Sequence, residues 1–287
     1  VDQLMNDLIE EKINDLTTLG LISIEKEFRN ESNLELDVVL IKITNEVDGQ
    51  TGVSHFQLGN RSIELQVVDA HKISQILISG QNRLQIDLLL HGTILIEKNS
   101  YVTELRKNIV EFPINNRKYK ISVEFSKMIR RYSDGKLLFT KGHFLDSFNE
   151  ILHSLHHLAR LSVIEHGLYP EVTVWQQVKH LEPEIYKLYD EMVTGEESLE
   201  KRIELLLIAI NFAITSKTKL GASHLIEMMQ QRDEPWSVEH LLSDPELKEC
   251  GSDLLVTIHY LVQKGIVDVV KLETEVEGVF HRLYYIK

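Results

Sequence analysis

Apolar positions along the chain fall into three successive patterns. Up to about residue 116, helical and strand-like spacings alternate. Leu4, Leu8, Ile9, Ile13 and Leu16 recur at helical intervals, and strand-like runs follow at 19–24, 34–44 and 62–68. Asp69 then has the place of a helix N-cap, and 88–97 forms a further apolar run, a strand or else a short buried helix. Turn-forming stretches at 30–33 and 48–52 separate the strands. From Lys118 to about Thr218 the pattern is helical throughout. Phe144, Phe148, Ile151, Leu155 and Leu158 mark one buried face, 196–212 a second long helix, and Gly135, Gly142, Gly167 and Pro183 the expected bends. Beyond Gly221 come three shorter helices, at 224–231, 237–242 (capped by Ser237) and 254–263. Two strand-like runs, 266–272 and 279–286, follow them across an acidic turn. Three helices and a two-stranded ribbon make the order of a winged helix. The expected architecture is therefore α+β: a mixed sheet with flanking helices (1–116), a helical bundle (117–219) and a C-terminal winged helix (220–287).

Composition narrows the function classes. With 43% hydrophobic and 26% charged residues the chain has the balance of a globular protein. The formal charge of -13 opposes unassisted binding to phosphate backbones or anionic membranes. A single cysteine, Cys250, excludes an intrachain disulfide and a thiolate metal framework. The longest apolar stretch, near 205–210, is too short to span a bilayer, so no membrane contact is expected. No signal-peptide pattern opens the sequence, and a cytoplasmic location is expected.

Chemistry concentrates at a few places. In the run 34–40, Glu35 and Asp37 sit two residues apart, so on a strand both project from one face while Leu34 and Leu36 project from the other. They form either a metal-holding carboxylate pair or the exposed face of an ordinary strand. Lys127, Arg130 and Arg131 lie about a helical turn apart in a basic span that reaches from Lys118 to Lys141. They make either a phosphate-binding patch or a solvated face paired with Glu124 and Asp134. Asn149, His153, His156 and Arg160 form a polar stripe along a helix, and His153 with His157 has the i, i+4 spacing of a metal pair without the surrounding zinc-protease motif.

The segments 125–133 (FSKMIRRYS) and 156–165 (HHLARLSVIE), with the order of the three regions, resemble the YgxA-like nucleotidyltransferase-like family of Gram-positive bacteria. That resemblance implies a polymerase-β-type nucleotidyltransferase-like domain, a helical substrate-binding-like domain and a terminal helix-turn-helix. It also implies Mg²⁺-dependent handling of a nucleoside triphosphate, with NMP passed to an acceptor hydroxyl. Glu35, Asp37 and a third acid, for which Glu64 is the candidate, would hold the metal. Lys127, Arg130 and Arg131 would meet phosphate, and Glu150 or Glu165 would serve as the base. The Gly-Ser turn that grips triphosphate in active members is missing, since the first strand runs into Glu25 and Lys26. The alternative is a degenerate fold kept for binding, scaffolding or regulation.

Arg160 and His166, five residues apart in between, also resemble the Arg-x₄₋₆-His arrangement of helical ribonucleases. Residues 221–287 contain six Lys or Arg against twelve Asp or Glu, and the third helix has neither Lys nor Arg. Duplex DNA is therefore not an expected partner of this segment. A protein partner or self-association is expected instead, with Asp253, Thr257, His259, Tyr260 and Gln263 facing outward and Leu254, Leu255, Ile258, Leu261 and Val262 inward.

Overall fold

The computed structural model describes residues 15–25, 36–45, 52–73, 83–111 and 114–286, which divide between two units, Val1–Glu111 and Phe112–Lys287. The predicted helix at 4–16 lies almost wholly outside the described residues, as do Glu35 and the turn at 30–33.

The first unit is built on a five-stranded mixed sheet in the order β3-β4-β2-β1-β5. Its strands are β1 (Thr18–Glu25), β2 (Val38–Thr44), β3 (Gly52–Leu58), β4 (Arg61–Asp69) and β5 (Thr93–Glu97). Only β2 and β4 run parallel; the other neighbours are antiparallel. All seven residues of β2 are buried, as expected of a central strand that packs on both faces. One face carries Ile22, Val39, Ile41 and Ile43 against Leu88 and Leu89 of α1 (Arg83–His91) and Val102 of α2 (Tyr101–Glu111). The other carries Leu21, Val38, Leu40, Ile63 and Leu65. Lys42 on that second face pairs with Asp15, which lowers the Asp15 pKa through hydrogen bonds from Lys42 and Thr17.

Two sequence expectations change here. The run at 88–97, read as a strand or a short buried helix, is the end of α1 followed by β5, because three leucines in a row fit a buried helix turn as well as a strand. The edge strand β3 begins where a turn was expected; nearly every residue in it is exposed, so it has no buried face for periodicity to detect. Helix α2 likewise had no counterpart in the sequence reading.

The second unit begins with two long antiparallel helices, α3 (Ile114–Thr140) and α4 (Phe144–Glu165), joined through Gly142 at φ 78°. Gly135 does not bend the chain; it lies within α3, where a Cβ would sit 2.7 Å from Ile151 Cδ1. Its absent side chain lets α4 approach closely. Ser147 Oγ and Ser154 Oγ donate across that approach to the Gly135 and Met128 carbonyls at 2.8 and 2.9 Å. Helices α5 (Val174–Leu181), α6 (Pro183–Thr194) and α7 (Leu199–Gly221) complete the bundle, with Phe125, Met128, Leu155, Leu158, Ile210 and Ile214 in its core.

The C-terminal segment adds α8 (Ser223–Met229), α9 (Val238–Ser243), α10 (Asp253–Gln263) and the ribbon of β6 (Val267–Glu273) and β7 (Phe280–Ile286). Ser237 caps α9 by accepting from the His240 amide, as its sequence position predicts. Trp236 extends the ribbon by pairing with Tyr284 and donates its indole N–H to the Met229 carbonyl at 3.0 Å. A 3₁₀ turn, Lys248–Cys250, rests against α3. There burial pushes the Cys250 thiol up to about 11, outweighing the opposing influence of nearby Ser126, Ser122 and Lys127.

Helix α10 departs from its expected orientation. Leu255 is exposed, whereas Asp253 and Thr257 are buried and Tyr260 is half-buried. Asp253 pairs with Arg130 of α3, and the Tyr260 hydroxyl meets Thr218 Oγ1 of α7 at 2.7 Å. Of the five residues expected to face outward, Asp253, Thr257 and Tyr260 are thus turned inward, while His259 and Gln263 are exposed as expected.

Candidate functional site

The parallel register of β2 and β4 positions the acidic candidates of the first unit. Val38 pairs with Ile63 and Val39 with Glu64, and the Asp37 amide continues the ladder by donating to the Ser62 carbonyl at 2.9 Å. Asp37 therefore stands beside Ser62, and its Oδ2 accepts from the Ser62 amide at 2.8 Å and hydroxyl at 3.1 Å. Glu64 lies two residues further along β4, so both carboxylates project from one face of adjacent parallel strands. That face is the one α1 and α2 cover further along the strands. Glu64 is only 9% exposed. Its Oε1 accepts from Gln66 at 2.6 Å, and His55 of β3 stands 3.2 Å from its Oε2. Gln66 is fixed in turn by Gln85 of α1 at 3.2 Å. Glu35 lies outside the described residues, and no cluster of three metal-ligating side chains occurs among those described. Asp37 and Glu64 are hard oxygen donors of the kind Mg²⁺ takes, so the residues present fit that ion by chemistry.

In the second unit the basic span is largely matched by carboxylates. Arg131 donates through one Nη to both oxygens of Glu150, at 2.9 and 2.8 Å. Arg130 contacts Asp134 at 3.4 Å as well as Asp253. Glu150, a candidate base, thus has a guanidinium as its partner, and Glu165, the other, pairs with Lys217. Lys127 is half-buried, and its charge reaches Glu124.

Glu124 is the centre of a cluster the sequence reading did not assemble. It is fully buried on α3, with its Oε2 2.7 Å from His157 Nδ1 and 3.7 Å from Arg160 Nη1, both on α4. Lys120, one helical turn before it and also buried, reaches the Tyr169 hydroxyl at 3.2 Å and lies over that ring. Burial alone would raise the Glu124 pKa. The His157 hydrogen bond and the charges of His157, Lys120 and Lys127 outweigh it and hold the carboxyl at about 2. The only hint in the sequence is Lys120, Glu124 and Lys127 at i, i+4 and i+7 among apolar neighbours.

The histidines of α4 take separate partners. His157 turns to Glu124, while His156 packs edge-on to Trp175, which stacks on Tyr189. His153, at the edge of the bundle, has its pKa lowered by partial desolvation and by nearby Arg131. His166 contacts its own helix, with Nδ1 2.9 Å from the Ser162 carbonyl. Arg160 and His166 therefore answer to different partners.

Comparison with known proteins follows the same division. Residues 1–117 match a nucleotidyltransferase-like family, 118–217 a YgxA-like substrate binding domain, and 223–286 a helix-turn-helix domain. The uncharacterized protein YgxA of Bacillus subtilis (strain 168) is 39% identical over 288 residues, covering 100% of this chain and 98% of that protein. A crystal structure of a nucleotidyltransferase-like protein from Exiguobacterium sibiricum 255-15 superposes with a TM-score of 0.85 at 35% identity, covering 99% of this chain and 98% of that one. With such identity along its whole length, the chain belongs to the YgxA-like family of nucleotidyltransferase-like proteins.

Proposed function

We propose that the first unit binds a nucleoside triphosphate together with Mg²⁺, with Glu35, Asp37 and Glu64 as the metal-holding acids. The chain would then pass NMP to an acceptor hydroxyl. The observation that supports this is the placement of Asp37 and Glu64 on one face of two adjacent parallel strands. Glu35 lies outside the described residues. When bound, the ion would offset negative charge on the triphosphate oxygens. Ser62 fixes the Asp37 carboxylate, and Gln66 and His55 fix that of Glu64. Both acids are thereby oriented before any ligand arrives, which lowers the ordering cost of binding. Glu150 is not assigned as the base, because its two oxygens are already bonded to Arg131.

A second reading, a fold that binds nucleotide without transferring it, is favoured by the neighbours of Glu64: Gln66 bonds one oxygen and His55 stands by the other. Calorimetry on the full chain with each nucleoside triphosphate, with and without Mg²⁺, tests the binding that both readings require. The expected result is Mg²⁺-dependent binding tighter than about 1 mM, weakened about tenfold (about 1.4 kcal/mol) by either Asp37→Asn or Glu64→Gln. Absence of Mg²⁺-dependent binding would overturn both readings. Binding without pyrophosphate release across a panel of hydroxyl acceptors would select the second.

For the helix-turn-helix domain we propose a structural role within its unit and no reading of duplex DNA. The helix that would enter a major groove has Asp253, Thr257 and Tyr260 turned into the bundle. The domain also lacks the excess of cations that counterion release needs. In fluorescence anisotropy at about 0.1 M salt, where the Debye length is about 10 Å, binding to duplex DNA should be weaker than about 1 µM. Tighter, sequence-selective binding by the full chain would show that α10 leaves the bundle.

A further inference from the structure

A recess of about 480 Å³ opens where α3, α7 and α10 meet. Its size falls in the range of small-molecule sites. Its floor is apolar: Ile129 and Ile214 are each 2% exposed, and Val256 of α10 joins them. Its rim is polar and cationic. Lys136 from α3, Lys264 at the end of α10 and His259 approach it from different elements, and Ser133, Asn211 and Gln263 add hydrogen-bonding groups. Gln263 Nε2 lies 2.9 Å from His259 Nε2, which joins the two side chains on the α10 side. Among the described residues no Asp or Glu lines the recess, although acidic residues outnumber basic ones 44 to 31 in the chain. An apolar floor with cations converging from two helices, and acids excluded, is complementary to a molecule with an apolar body and an anionic head.

We propose that this recess is a binding site for a small amphipathic anion, an aromatic or aliphatic group bearing a carboxylate or a phosphate monoester. The body lies on Ile129, Ile214 and Val256, and the head is met by Lys136 and Lys264. The occupant touches the bundle and the helix-turn-helix domain at once, so it strengthens the seat of α10. This site is separate from the acids of the first unit, and the proposal does not depend on nucleotide binding.

Calorimetry on the full chain with 1-naphthoate, 1-naphthyl phosphate and neutral 1-naphthol provides the test. At least one anion is expected to bind with unit stoichiometry and to raise the Tm, and the one that binds tighter identifies the head group. Naphthol is expected to bind about tenfold more weakly or worse. Lys136→Glu with Lys264→Glu, both exposed positions, should abolish the preference for anions. Asn211→Trp, also exposed, should block the recess, with an unchanged circular dichroism spectrum showing that the fold persists. Failure of both anions to bind would overturn the proposal. So would naphthol binding as tightly as the anions, or anion affinity that survives the double charge reversal.

Discussion

Glu124→Ala is expected to destabilise the second unit by about 3–5 kcal/mol, the cost of breaking a buried ion pair by removing one partner. The carboxylate is fully buried against His157, with Lys120, Lys127 and Arg160 around it. Its loss removes the carboxylate that balances the buried charge of this cluster, to which Lys120 contributes. Glu124→Gln keeps the shape and one acceptor, so a smaller loss is expected. The same group sets an acid limit. Its pKa is about 2 in the folded chain against an ordinary 4.5, so its contribution is complete above about 4.5 and drains away as pH falls from there toward 2. Urea titrations at pH 7 and pH 4 should show a loss of stability in the wild type that is reduced in Glu124→Gln. Equal midpoints for wild type and both variants at pH 7 would dismiss the cluster as a source of stability.

Phe125→Ala should cost a comparable amount, about 3–5 kcal/mol, as expected for an aromatic side chain with no exposure. Its ring has two distinct neighbours. Tyr260 of α10 meets it edge to face at a centroid distance of 6.3 Å, and the end of α7 lies flat upon it at Gly221. A Cβ on Gly221 would fall 2.2 Å from Phe125 Cγ, so Gly221→Ala should itself cost about 1–3 kcal/mol through overpacking. The two changes should not add. With the ring gone the new methyl has room, and Gly221→Ala should be close to neutral in the Phe125→Ala background. A full cost for Gly221→Ala in both backgrounds would mean that the ring and the glycine are not in contact.

What the sequence could show depended on whether a segment meets its environment on one side or two. β2 was legible because a β-branched, mostly apolar run bounded by turn residues suits a central strand. The face of α4 carrying Ile151, Leu155 and Leu158 was legible because its other side is polar. β3 was hidden because it buries almost nothing. Helix α10 misled for the opposite reason: part of its second face is buried too, by polar partners 42 and 123 residues away. No periodicity within 253–263 predicts that Asp253 will find Arg130 or that Tyr260 will find Thr218.

The candidate sites follow the same logic. Asp37 and Glu64 could be paired from the alternation of two strands, and their common face is a matter of register. Glu124 and His157 are 33 residues apart on different helices. Each had a different reading in the sequence, Glu124 as a surface counterion and His157 as half of a metal pair. The sequence leaves the arginines between a phosphate patch and a face paired with Glu124 and Asp134, because an ion pair such as Arg131 with Glu150 spans 19 residues and a helix turnaround. Replacing them would therefore disturb structure as well as charge.

Cys250 gives the chain a built-in clock. Its thiol lies at the seat of the 3₁₀ turn on α3, 2% exposed and with a pKa near 11. Only the thiolate attacks an alkylating reagent, so the seated residue is shielded both by burial and by its held proton. Modification must wait until the turn lifts away from Ser122 and Ser126. Because no second cysteine competes for reagent, the time course of alkylation of the unaltered chain measures how often this seam breathes.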